Sequence, residues 1–424
     1  MPDGLVTLIK ACCVLAFQMI LVVVLIWFER KGAAYIQDRT GPNRAEIFGI
    51  RLAGLVHPVA DVLKLVFKEE ITPPHVRKFY FRLAPIVSLM VALLPLAVIP
   101  FADILPGDGG GFSFQTLNLN VGILYILAVS SFGVFGIIFA GWGSNNKYSM
   151  LGGMRASAQM ISYELAMGLS IVGVLMVYGT LELNEMVRYQ GGLLWGFLPR
   201  WGIFVQPIAA ILFMTAAFAE SNRNPFDLPE GESEIVGFHV EYSSMKFACF
   251  FVGEYGHIVV VSSIFTALFL GGWQIPWLPT PVLRENAGFA TAALLLFGVV
   301  GGVVFAGLFG KWRGRLHELY TDRRKNEGQV WMICAAAIAV ICAVILLAGF
   351  WRGLSPQGSL ITAAVVQIIC FMAKVVLVSF FFIWVRWTLP RFRYDQLMSL
   401  GWKNLVPLAI FNILITGFIL LGVG

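Results

Sequence analysis

The chain has 424 residues, 58% of them apolar and only 13% charged, with a formal net charge of +6 and a mean hydropathy of +0.80. So much apolar surface exceeds what the polar side chains of a soluble globule could cover, so composition excludes a soluble domain and indicates an integral membrane protein. The positive charge gathers in particular loops, which bears on membrane orientation and argues against nucleic acid as a partner.

Hydropathy predicts about ten spans of roughly 20 residues, near 5–28, 83–101, 120–140, 155–178, 203–220, 246–271, 289–310, 330–350, 361–384 and 405–422. Long uncharged runs without the alternation of barrel strands make the fold class all-α, a polytopic membrane helix bundle forming one domain over 1–424. The first run, Leu5 to Phe28, is too long for a signal-peptide core and lacks a basic start and a small-residue cleavage site. It is expected to be a retained transmembrane helix. Cys12, Cys13, Cys249, Cys334, Cys342 and Cys370 all fall in apolar runs, with no C-x-x-C spacing and no nearby histidine pair. That pattern argues against zinc, an iron–sulfur cluster or a disulfide framework.

Lys and Arg crowd the loops 30–82, 311–325 and 386–403, whereas 102–119 holds Asp103 and Asp108 and no basic residue. With ten spans the basic loops share one side, which the positive-inside rule makes cytoplasmic, with both termini outside. Within the cytoplasmic loop 29–82, Phe48, Leu52, Leu55, Val59, Val62 and Val66 recur at helical spacing, with His57, Asp61, Lys64 and Lys68 on another face. This pattern predicts an amphipathic helix lying along the membrane interface; the alternative is a solvated helix face with an Asp61–Lys64 pair. The Gly-rich run 107–111 lacks the strand, helix and lysine of a phosphate loop and reads as an external turn.

Charge concentrates in the acidic loop 220–245, where Glu220, Asp227, Glu230, Glu232, Glu234 and Glu241 lie between two apolar runs. Asp227, followed three residues later by Glu230 with Pro229 between, resembles a helix start of the capping-box kind. Inside or at the ends of spans lie Glu164, Glu220, Glu254 and Lys374, with His257 three residues after Glu254 on the same helix face. An isolated charge in hydrocarbon costs several kcal/mol, so such groups are paired, hydrated or functional. Burial generally moves acids and bases towards exchange near neutral pH, which points to a proton relay. The structural alternative is a set of unrelated interhelical hydrogen bonds.

Several motifs then carry a resemblance. They are Glu29-Arg-Lys31, Asp38-Arg-Thr-Gly-Pro-Asn-Arg44, Pro58-Val-Ala-Asp61 with Lys64, Ile161-Ser-Tyr-Glu164, the run from Ala219 to Glu234, Glu254-Tyr255 and Arg391-Phe-Arg-Tyr-Asp-Gln-Leu-Met398. Together, from the first span to Pro407, they resemble the H-type membrane subunit of proton-pumping NADH:quinone oxidoreductase, respiratory complex I. The resemblance implies a subunit at the junction of the peripheral and membrane arms, forming the quinone-access chamber and coupling quinone reduction to proton translocation. Quinone would be the substrate, with Arg30, Arg39, Glu230 and Glu232 at the chamber. Glu29, Asp61, Glu164, Glu220, Glu234, Glu241, Glu254 and Lys374 would form the proton path. No redox centre is expected in this chain. NADH, flavin and iron–sulfur clusters would belong to partner subunits of the peripheral arm, with further membrane subunits and lipid alongside, in a bacterial inner membrane.

Three departures from the family pattern stand out. The interval from Asn43 to His57 is longer than usual and His57 replaces a glutamine; the segment 234–241 is one residue short; and 289–351 adds a helix pair to the shortest members. Two rival functions follow from the same residues. One is the membrane subunit of an energy-converting hydrogenase, and the other a free-standing proton or cation transporter. The arginine-rich motif after Arg391 and Glu29-Arg-Lys31 favour the oxidoreductase over the hydrogenase, and the lack of two similar halves argues against the transporter.

Overall fold

The computed structural model describes residues 3–47, 52–106, 111–227, 230–231, 236–321, 323–349 and 355–423. In chain order the helices are α1 (Asp3–Ile36), α2 (Val56–Phe67), α3 (Lys78–Leu93), α4 (Gly122–Ser131), α5 (Gly133–Gly143), α6 (Lys147–Tyr178), α7 (Leu183–Tyr189), α8 (Gly202–Val205) and α9 (Pro207–Glu220). They continue as α10 (Ser244–Phe269), α11 (Thr280–Glu285), α12 (Ala287–Leu319), α13 (Glu327–Ala348), α14 (Pro356–Thr388), α15 (Tyr394–Ser399) and α16 (Val406–Val423). Among the described residues nine helical rods are long and apolar enough to cross a bilayer, α4–α5 and α15–α16 each counting as one. The chain is a polytopic helical membrane bundle.

The tenth expected span, 203–220, is a broken one: α8 ends at Val205, Gln206 leaves helical geometry, and the 14-residue α9 begins at Pro207. Proline has no N–H to give and forces the residue before it out of helical geometry. The break is braced from the side, because the Gln206 side chain donates to Thr416 at 2.9 Å and accepts from Asn412 at 3.1 Å, both on α16.

Several helices outrun the hydrocarbon. With 34 residues α1 is about 51 Å long at 1.5 Å per residue, against an apolar layer of about 30 Å. Its last turns carry Glu29, Arg30 and Lys31. At the centre lies α10, buried almost continuously from Tyr255 to Phe269 and packed against α1, α3 and α14. Gln18 of α1 ties this centre together, donating to the carbonyls of Ala92 (2.6 Å) and Gly256 (3.3 Å).

Two local expectations change. The interfacial helix begins only at Val56, because Leu52 and Ala53 take positive φ; Phe48 lies outside the described residues. Its Val59, Val62 and Val66 face outward, the arrangement an interfacial helix would lay on lipid. Asp61 pairs with Arg30 of α1, so the alternative Asp61–Lys64 contact is not its partner. Among the described residues no helix starts at Asp227 either. Glu230–Gly231 instead forms a two-residue strand paired antiparallel with Val236–Gly237, while Asp227 accepts from Arg391 at 2.8 Å. A distant guanidinium meets the carboxylate that a local cap would have used. Of the Gly-rich run 107–111 only Gly111 is described, beside the Leu105–Phe112 bridge.

The helix pair in 289–351 is the hairpin α12–α13, packed closely where an added Cβ on Gly302 would sit 2.8 Å from the Ala335 carbonyl. It is fastened to α1 by a buried ion pair. Lys31 (1% exposed) donates to Glu327 (2% exposed), which also accepts from Tyr35 at 2.7 Å and Asn43 at 3.4 Å. Lys31 donates as well to the Thr40 carbonyl at 2.6 Å, so the hairpin and the loop after α1 share one anchor.

Removing one partner of a buried pair strands the other charge, whereas removing both need not. Lys31→Met is therefore expected to cost about 3–5 kcal/mol, read as earlier thermal dissociation of the subunit from detergent-solubilised complex. Lys31→Met/Glu327→Met should recover most of the loss; equal behaviour of single and double variants would contradict the pairing. A second expectation concerns His57, whose Nε2 accepts the backbone N–H groups of Arg44 and Ala45, each at 3.1 Å. A protonated Nε2 cannot accept. Burial lowers this pKa below its ordinary value of 6.5, with Arg30 and Lys31 acting in the same direction and Asp61 opposing. The unfolded chain then binds the proton more readily, so the anchor is complete above about pH 6.5 and is lost as pH falls through the lowered folded value. Hydrogen exchange at Arg44 and Ala45, corrected for intrinsic rates, should speed up at low pH in the native chain. It should stay flat in His57→Gln, whose amide oxygen accepts at any pH.

Candidate functional site: a polar cavity and a buried line of charges

Three consecutive residues at the end of α1 point in three directions, because successive helical side chains are about 100° apart. Glu29 faces inward, Arg30 meets Asp61 of α2, and Lys31 meets Glu327 of α13. Glu29 accepts from the Tyr255 hydroxyl at 2.8 Å and pairs with Arg386 of α14 and with Arg223 at 3.5 Å. Gly32 allows this convergence: a Cβ there would lie 1.8 Å from the Trp387 ring, so only glycine lets the end of α14 rest on α1.

Around these groups lies a polar cavity of about 720 Å³, lined by Glu29, Arg30, Arg39, His57, Asn224 and Arg386 among others. Arg223 lies behind the cavity wall, against Glu29. The guanidinium stacks 4.0 Å from the Tyr255 ring centre and reaches Glu254 at 3.7 Å as well as Glu29. Two carboxylates from α1 and α10 thus share one buried cation, which offsets the desolvation that each would otherwise suffer.

One turn along α10 from Glu254, His257 places its Nε2 3.6 Å from Glu220, the last residue of α9. Glu220 is 3% exposed and lies within electrostatic range of Glu164 on α6, which accepts from the Ser131 hydroxyl of α4. The order from the cavity inward is Glu29, Arg223, Glu254, His257, Glu220, Glu164.

The structure brings half of the expected site residues together and sets others apart. Arg30, Arg39, Glu29, Glu164, Glu220 and Glu254 fall on the cavity or the buried line. Asp61 sits beside the cavity on a half-exposed ion pair with Arg30. Glu241 accepts from Asn146, the residue that caps α6, at 2.7 Å. Lys374 lies apart: it donates to the carbonyls of Leu270, Gly272 and Gln274 at 2.8, 2.9 and 2.6 Å and stacks on Trp201, closing the C-terminal end of α10. Glu232 and Glu234 lie outside the described residues, and Glu230 is described in backbone only.

Sequence reasoning missed three partners, Arg223, Arg386 and Glu327. Arg223 carries a readable signal as the lone cation within an acidic run, whereas Glu327 is one of three acids in and after a basic loop, with Glu318 and Asp322, and does not stand out. Arg386 has no such signal and reads as an ordinary flanking charge.

The family model described as NADH dehydrogenase matches residues 9–316 and 328–417. A relative in Solibacter usitatus, an H-type subunit of NADH-quinone oxidoreductase, is 43% identical over 98% of this chain and 96% of its own length. The corresponding protein of Bdellovibrio bacteriovorus is 40% identical over 94% of this chain and 91% of its own, and that of Geobacter metallireducens 38% over 99% and 98%. A polytopic bundle with this arrangement of charges, matched over nearly its whole length, belongs to the NADH dehydrogenase family of H-type membrane subunits of NADH-quinone oxidoreductase.

Proposed function

We propose that the polar cavity at the end of α1 receives the quinone headgroup and that the buried line of charges couples its reduction to proton translocation. The observation that carries this reading is continuity: Glu29 lines the cavity and also begins the line that ends at Glu164. Reduction of a quinone to a quinol takes up two electrons and two protons. The electrons come from an iron–sulfur cluster of a partner subunit, fed from NADH through flavin. Arg30 and Arg39 offer N–H donors to the reducing oxygens, and the loop carboxylates Glu230, Glu232 and Glu234 complete the chamber and the first step inward.

Electrostatics gives the coupling its scale. One unit charge at about 4 Å acts with about 4 kcal/mol at an effective dielectric of 20, equal to roughly three pKa units. A charge appearing in the cavity therefore acts most strongly on Glu29, and the shared Arg223 passes the imbalance to Glu254. The 3.6 Å between His257 and Glu220 exceeds a hydrogen bond, and Glu220 Oε2 and His257 Nε2 have no hydrogen-bond partner within the described chain. One bridging water would satisfy both and carry a proton between them. Asp61 and Glu241 belong to the approaches of this path and Lys374 to its far side. The basic loops face the cytoplasm of a bacterial inner membrane with both termini outside, and α12–α13 is an addition to the shortest members of the family.

In assembled enzyme, Glu220→Gln is expected to lower NADH:quinone reductase activity by about tenfold or more, the lower reach of what one proton-transferring group supplies. Proton pumping should fall with it, and Glu232→Gln should act in the same direction. Wild-type values of both activities in both variants would overturn the reading.

A further inference from the structure

A second cavity, of about 990 Å³, lies between α1 and the α12–α13 hairpin and meets the polar cavity at Arg39, which lines both. Its walls are apolar, with Phe297, Phe305, Phe309, Trp331 and Ile338 prominent. The space is held open by fixed contacts. Lys31 and Glu327 pin the hairpin at one end, Tyr35 packs edge-on against Trp312 at 5.3 Å, and Trp27 lies 5.2 Å from Trp331. The helices cannot close the gap without breaking these contacts, and an unfilled apolar space forfeits the dispersion contacts of its lining. An apolar occupant is therefore favoured.

One end of the cavity is polar, formed by Asp38, Arg39, Thr40 and Arg315. Among the described residues neither guanidinium has a carboxylate partner, and Arg39 donates to the Gln37 amide oxygen at 2.9 Å. Lys311 and Arg313 stand on the same end of α12, so with Arg39 and Arg315 the cationic groups outnumber Asp38 and Glu318 among the described residues. Basic pockets between transmembrane helices recognise anionic lipid headgroups. We propose that this cavity is a site for an anionic phospholipid, with its phosphate on Arg39 and Arg315 and an acyl chain between α1 and the hairpin. The isoprenoid tail of a quinone would fit the apolar walls, yet it brings no charge for the two arginines, so the observations favour the lipid.

The test uses the complex purified in mild detergent and incubated with phosphatidylglycerol or phosphatidylcholine carrying a photoreactive acyl chain, with labelled peptides mapped by mass spectrometry. Two arginines at the strength usual for basic residues near anionic lipid predict roughly tenfold or more labelling of 297–309 and 331–338 by phosphatidylglycerol over phosphatidylcholine. Arg315→Gln should reduce the anionic label about fivefold. Gly301→Leu should abolish it, because a Cβ at Gly301 meets nothing within 4 Å and its side chain enters the cavity without a clash. Co-purification of the partner subunits verifies that each variant assembles. Equal labelling by the two lipids, or no effect of Gly301→Leu, would overturn the site. Displacement of the lipid label by a photoreactive isoprenoid quinone that labels the same peptides would assign the cavity to the quinone tail instead.

Discussion

The pairing of charges at the end of α1 is the constraint on which the rest of the structure depends. Groups withdrawn from water must find counter-charges or hydrogen bonds, because the desolvation of an unpaired ion exceeds what packing returns. Three charged residues in succession on one helix cannot share a partner, so Glu29, Arg30 and Lys31 recruit three separate parts of the chain. Glu29 draws in the loop after α9 and the end of α14, Arg30 fixes the interfacial helix, and Lys31 holds the α12–α13 hairpin. The cavity walls follow from that division. If α1 ended at the edge of the hydrocarbon, these residues would be solvated and nothing would hold the walls in register.

The inward line depends on a second geometric fact. Glu254 and His257 lie one turn apart on α10, so one helix face meets Arg223 at one level and Glu220 at the next. The short α9 brings Glu220 to that level, since it begins at the break before Pro207 and ends at Glu220. A span of full length would carry its terminal acid elsewhere. The buried Gln206–Asn412–Thr416 hydrogen bonds are thus part of what aligns the line, although they lie far from the cavity.

The spans were legible in the sequence because length and apolarity are local properties, and so were the acids within them, since a charge in hydrocarbon announces itself. The pairings were not legible. Glu327 lies 296 residues from Lys31 and Arg386 357 from Glu29, and nothing local encodes such contacts. Local rules failed where a distant partner was stronger. The capping pattern at Asp227 gave way to Arg391, and the helical spacing before Val56 gave way to a loop held by His57. Lys374 shows the same limit: a lysine within a span was legible, but the three carbonyls beyond α10 to which it donates were not. The resemblance of motifs supplied what patterning could not, because it places Glu29 and Glu254 in one subunit class without reference to any contact between them.

The central claim is that Glu29 joins the cavity to the buried line. The most direct measurement is simultaneous electron flow and proton uptake by assembled enzyme in sealed vesicles carrying Glu29→Gln, a substitution that keeps a hydrogen-bond acceptor for Tyr255 but removes the charge between Arg223 and Arg386. The account predicts slower quinone reduction together with fewer protons moved per electron. Wild-type values for both the rate and the ratio would contradict it.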